Sequence, residues 1–168
     1  MNILQTKRLD IAQLTIEHAP FILELTNSPD WLQYIGDRGI KTITDAQNYI
    51  INGPMASYAM YGHGLYLMTL TDTTVPIGIC GIIKRDTLED KDIGFALLPQ
   101  YTGNGYAFEA AAAILIRTKE ILHIPRIVAI TLPINAPSIK LLTRLGMVFE
   151  KMVSFPPKDE ALMLFATQ

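Results

Sequence analysis

Apolar runs short enough for buried strands recur along this chain, separated by polar turns and by longer segments with helix signals. Lys7 to Leu14 alternates apolar and polar residues and predicts a first strand. Thr15 is placed to cap a helix from Ile16 to about Thr26, and Trp31 to Tyr34 reads as a short turn before the loop Gly36–Gly39. Thr44 is the expected cap of a second helix, Asp45 to Ile51, stopped at Gly53-Pro54. Met55 to Gly64, with Tyr58, Tyr61 and His63, reads as an ordered loop over a pocket. Leu65–Thr71 and Val75–Lys84 predict a hairpin about Asp72-Thr73-Thr74. Further strands are expected at Asp92–Leu98, Arg126–Leu132, Val148–Val153 and Ala161–Thr167. A helix entered through Asn135 and Pro137 should run to Leu145, with Gly146 as its stop. The order predicts one α+β domain over residues 1–168: a mixed, mainly antiparallel central sheet with helices on both faces.

One stretch organises the rest. The Asp92 strand ends at Pro99, a turn places Gly103 and Gly105 about Asn104, and an alanine-rich segment free of glycine and proline follows to about Ile121. The first N–H groups of a helix have no internal partner and carry partial positive charge, so strand, glycine turn and helix together make an anion site. No Gly-Lys-Ser/Thr follows Gly105, and Phe108 stands where a dinucleotide fingerprint requires a small residue. A ligand is expected where the Asp92 and Arg126 strands diverge.

Composition narrows the field. The chain is 49% hydrophobic with a mean hydropathy of +0.25, yet no apolar run reaches the roughly 20 residues of a membrane span. A net charge of −2 and a pI of about 5.9, without a basic run, give nucleic acid no footing. The opening MNILQTKRLD has no signal-peptide pattern, so a cytoplasmic protein is expected. Cys80, the one cysteine, reads as a small buried strand residue, and the scattered His18, His63 and His123 predict no metal site.

This order and two motifs resemble the acetyl-CoA-dependent N-acetyltransferases of the GNAT superfamily. The branch of the ribosomal-protein N-terminal acetyltransferases (RimJ/RimL-like) is the nearer likeness. Thr6-Lys7-Arg8-Leu9 is similar to that branch's opening, Asp92 to Glu109 to its strand–turn–helix signature, and Asn135-x-x-Ser138 with Leu141, Leu142, Leu145 and Gly146 to its second signature. The resemblance implies acetyl-CoA as co-substrate, its diphosphate lying on the amides of the turn: Thr102, Gly103, Asn104, Gly105, Tyr106 and Ala107. The family pattern fits in two registers, from Gln100 or from position 102, and counting from Pro99 favours the second, with Thr102 where the superfamily carries Gln or Arg. A strand bulge near Leu97 and Leu98 is implied, its free backbone groups pairing with pantetheine and the Leu98 N–H facing the thioester oxygen.

An amine-bearing acceptor, small molecule or protein N-terminus, is the implied partner, in a monomer or homodimer. Ser138 is the candidate for stabilising the leaving thiolate or giving it a proton, or is only a first-turn hydroxyl. Asn135 is a pantetheine ligand, an N-cap, or both. Asp92 is the candidate base, or a strand-end carboxylate in solvent or paired with Lys91 or Arg85. Glu109 reads as an internal hydrogen-bond partner, and Glu150 and Tyr66 are weaker base candidates. Trp31, Tyr34, Tyr58, Tyr61 and His63 either line an acceptor pocket or belong to the core. The alternative is a non-catalytic acyl-CoA-binding or sensing domain on the same fold.

Overall fold

The computed structural model describes all residues, 1–168. Its strands are β1 (Asn2–Gln5), β2 (Leu9–Gln13), β3 (Leu65–Leu70), β4 (Pro76–Ile83), β5 (Lys91–Leu97), β6 (Ile127–Thr131), β7 (Val148–Val153) and β8 (Leu162–Ala166). The helices are α1 (Ala19–Thr26), α2 (Pro29–Tyr34), α3 (Ile43–Ile50), α4 (Ala56–Tyr61), α5 (Tyr106–Glu120) and α6 (Ala136–Arg144). No helix is long and apolar enough to cross a membrane.

All eight strands join one sheet in the order β1-β2-β3-β4-β5-β6-β8-β7, and every neighbouring pair is antiparallel except β5–β6. The mixed α+β architecture is the expected one. Period-two alternation divides the apolar residues between its faces. Ile11, Met68, Cys80, Ile82 and Ile93 pack under α5 with Ala110, Ala111 and Ile114. Leu67, Ile79 and Leu98 meet Ile22, Leu25, Ala46 and Ile50 of α1 and α3 on the other. Alanine is the strongest helix former, and its small side chain brings α5 close to the sheet. Ile114 is 2% exposed, and its truncation to alanine would cost about 2–5 kcal/mol.

Several local expectations are corrected. β1 is an edge strand that no alternation announced. Residues 16–18 form a 3-10 turn ahead of α1 rather than its first turn, and Trp31–Tyr34 belongs to a helix. The cap of α3 is Thr42, not Thr44: Thr42 Oγ1 accepts the Asp45 N–H at 3.1 Å, and the Asp45 carboxylate accepts the Thr42 N–H at 2.9 Å. Gly53-Pro54 does not end the helical path. A wide π-type turn over Ile51–Met55 absorbs the missing proline donor, and the chain continues as α4 where a loop was expected.

Candidate active site

β5 and β6 are paired only at Lys91–Ile127 and Asp92–Val128, although β5 runs on to Leu97 and β6 to Thr131. Beyond Asp92 the strands part, and the opening leads into a cleft of about 1270 Å³. Asp92 to Leu97 of β5 and residues at the start of α5 and of α6 line it.

On β5 the main chain divides cleanly. Leu98 donates its N–H to the Ile77 carbonyl at 2.9 Å, and the register with β4 continues through Leu97–Gly78 and Ala96–Ile79 with no bulge. Leu98 is 4% exposed. The expected oxyanion donor is therefore spent on the sheet, and the expected bulge at Leu97 and Leu98 is absent. Donors alternate in an antiparallel ladder, so Ala96 and Leu98 face β4, while the N–H and C=O groups of Phe95 and Leu97 face the side from which β6 has withdrawn. Sequence reasoning missed Phe95, because the side a backbone group faces is set by pairing and not by residue type.

At the turn, Gly103 and Gly105 both take positive φ, +79° and +82°, a region that costs other residues about 1–2 kcal/mol. Thr102 donates its N–H and its hydroxyl to the Pro99 carbonyl, so its side chain closes the preceding 3-10 turn. From Gly103 through Phe108 no main-chain N–H donates to another protein group; the first amide re-engaged is Glu109, bonded to the Gly105 carbonyl at 3.0 Å. The small-residue positions of both registers, Gly103 and Gly105 or Gly105 and Ala107, fall inside this run, but the Thr102 amide expected among the diphosphate donors does not, being spent on the Pro99 carbonyl. Gly103, Gly105, Tyr106 and Ala107 line the cleft together with Thr102, while Asn104 lies off it.

Asn135 caps α6, its Oδ1 accepting the Ser138 N–H at 3.2 Å, and the residue lines the cleft. Ser138, half-buried, lines it too, and its hydroxyl has no protein partner. Asp92 lies at the point where the strands separate, 1% exposed, both carboxylate oxygens 3.0 Å from Arg85 Nε. Burial pushes its carboxyl above the ordinary range, and the Arg85 charge only partly offsets that. The Arg85 pairing read from the sequence and the cleft-lining position hold together.

Of the aromatic candidates, Trp31, Tyr34 and Tyr61 line the far side of the cleft. Tyr58 does not: its hydroxyl accepts the Leu14 N–H at 3.1 Å and donates to the Leu65 carbonyl, and its ring stacks on Tyr66. His63 is core, 1% exposed, with Nδ1 on the Ile82 carbonyl at 2.9 Å. Glu150 is engaged by Arg126 at 2.8 Å, and neither it nor Tyr66 reaches the cleft. Tyr49, which sequence reasoning passed over, reaches the cleft from α3, its hydroxyl pushed up by burial.

Comparison with known proteins supplies the family of this arrangement. The chain is 28% identical over 142 residues to the uncharacterised N-acetyltransferase YnaD of Bacillus subtilis, spanning 84% of this chain and 80% of that protein. A crystal structure of an acetyltransferase from Agrobacterium tumefaciens strain C58 matches with a TM-score of 0.84 at 25% identity, over 100% of this chain and 95% of that one. The fold is also that of RimL, a ribosomal L7/L12 α-N-protein acetyltransferase solved with coenzyme A, at TM-score 0.80 and 15% identity, over 99% and 97% of the two chains. Residues 8–148 match the family model of the acetyltransferase (GNAT) domain, so the splayed strands and bare helix start are those of a chain that belongs to the GNAT family and is an acetyltransferase.

Proposed function

We propose that the chain moves an acetyl group from acetyl-CoA to a primary amine, by direct attack while donor and acceptor share the cleft. The observation that carries this reading is the run of unpartnered amides from Gly103 to Phe108, opening onto the gap between β5 and β6. Such a cradle fits a diphosphate, since each amide left without a partner is a donor, and the helix dipole adds favourable charge. The Leu97 main-chain groups that face the gap and the Asn135 amide fit the peptide-like groups of a pantetheine arm. RimL, solved with coenzyme A, supports the cofactor assignment.

Bound there, acetyl-CoA supplies an activated acyl carbon and a good leaving group. The protein's part is positioning and charge. Holding both reactants in one cleft removes much of the entropic barrier. The Phe95 N–H, fixed by the sheet and facing the gap, takes the oxyanion role expected of Leu98. Ser138 presents a free hydroxyl to the departing sulfur. Asp92, its basicity raised by burial, accepts the ammonium proton directly or through water. Trp31, Tyr34 and Tyr61 form the acceptor side, where a small amine or a protein N-terminus enters.

The test is thiol release from acetyl-CoA across a panel of amines and N-terminal peptides. Amine-dependent release supports transfer. Binding of acetyl-CoA with no release for any amine would leave a binding or sensing domain, and no binding would remove the reading altogether.

A further inference from the structure

The Thr6-x-Arg8-Leu9 opening has no role in the mechanism above, yet the fold carries it to the glycine turn. Between β1 and β2, Thr6 Oγ1 donates to Glu109 Oε1 at 2.7 Å, the Arg8 N–H donates to the same oxygen at 2.8 Å, and Arg8 Nε donates to Glu109 Oε2 at 2.7 Å. Both oxygens of a first-turn α5 carboxylate are thus committed to the N-terminal segment. The rest of the Arg8 guanidinium reaches past Glu109. Nη1 donates to the Asn104 carbonyl at 2.9 Å, and the plane lies over the Tyr106 ring at 4.4 Å from its centre. Nη2, without a hydrogen-bond partner, is 3.4 Å from where a Cβ on Gly105 would be.

The contact with Asn104 matters most. A trans peptide is planar, so its carbonyl and the following N–H point in opposite directions. Fixing the Asn104 carbonyl on Arg8 therefore fixes the Gly105 N–H on the opposite side. Nothing else on the protein holds that plane. Asn104 Nδ2 bonds the Thr102 carbonyl at 3.2 Å, which ties its side chain and leaves the peptide free to turn. Rotation of that plane turns on ψ of Asn104 and φ of Gly105, and the glycine, at positive φ, opposes it weakly. A rotated plane would turn a carbonyl oxygen toward the ligand in place of an N–H. We infer that Arg8 is a positioning residue for the acyl donor, locking the Asn104–Gly105 peptide and the first turn of α5 so that the turn amides meet a diphosphate already oriented.

This inference rests on the proposed acetyl-CoA site and deepens it. Its test is calorimetric or NMR titration of the full-length wild type, Arg8→Gln and Arg8→Lys with coenzyme A, and with pantetheine, which has the arm but no phosphate. Arg8→Gln is expected to weaken coenzyme A about tenfold or more, the loss of one charge-assisted amide bond, and to change pantetheine binding less than about twofold. Arg8→Lys keeps the charge but not the fork that spans Glu109 and Asn104, so it stays at least about threefold weaker than wild type and carries the test if Arg8→Gln fails to fold. Unchanged coenzyme A affinity in Arg8→Gln, equal loss for both ligands, or full recovery in Arg8→Lys overturns the inference. A wild type that binds no coenzyme A would instead bring down the functional reading beneath it.

Discussion

Replacing Gly105 with valine strikes the turn where its conformation is least tolerant. Gly105 has φ +82° and ψ 5°, and a Cβ there would meet only Arg8 Nη2, at an ordinary 3.4 Å. Steric collision is therefore not the effect. The cost is backbone strain, about 1–3 kcal/mol for a residue held in this region and toward the upper end for a β-branched one. The chain relieves that strain by rotating Gly105 out of the left-handed region, which swings the Gly105 and Tyr106 amides off a common target. Each hydrogen bond to a charged phosphate is worth about 1.5–3 kcal/mol, so losing one raises the Kd for coenzyme A roughly 10- to 150-fold. Calorimetric titration gives that Kd, and a thermal melt without ligand separates strain in the fold from damage to the site. A folded Gly105→Val protein that binds coenzyme A as tightly as wild type would refute the reasoning.

Three further perturbations probe the site and the core. Ser138→Ala leaves the Ser138 N–H on Asn135 and is expected to lower kcat about tenfold or more, with coenzyme A affinity within about twofold; steady-state kinetics beside calorimetry would contradict this if both fell together. Asp92→Asn is expected to reduce kcat/KM by roughly 10²-fold or more while leaving coenzyme A binding nearly unchanged, and wild-type turnover would remove Asp92 from proton transfer. Buried His63 has its basicity depressed, chiefly by burial, so the folded state resists the proton that the unfolded state accepts. Stability is therefore held above the unfolded pKa of about 6.5 and lost as pH falls below it. Urea midpoints measured from pH 8 to pH 5 should decline for the wild type and less so for His63→Leu, and parallel profiles would contradict the assignment.

What the sequence made legible was what lies contiguous along it. The β5–turn–α5 unit spans Lys91 to Glu120 without interruption, and its glycines, its proline stop and its alanine run each have a local meaning. Asn135 as the α6 cap and Glu109 as an internal partner were likewise readable. Legibility ended where pairing between distant segments decides. The Leu98 amide was misassigned because the ladder with β4, a hairpin away, determines that it bonds Ile77 and that Phe95 and Leu97 face the gap. Thr42 rather than Thr44 caps α3 because its hydroxyl meets the Asp45 N–H, a T-x-x-D spacing that was present in the sequence. Pro54 is a helix breaker by local rule, but a widened turn accommodates it and leaves it buried. The reach of Arg8 across to Asn104 and Glu109, about a hundred residues away in the chain, has no local signature.

The claim on which the account turns is that the bare amides at the start of α5 receive a diphosphate. A crystal structure of the protein with coenzyme A tests it directly. Diphosphate oxygens about 2.7–3.2 Å from main-chain nitrogens within Gly103–Phe108, with the pantetheine arm between β5 and β6, are the predicted result. A coenzyme A molecule bound elsewhere, with those amides facing solvent, would contradict it.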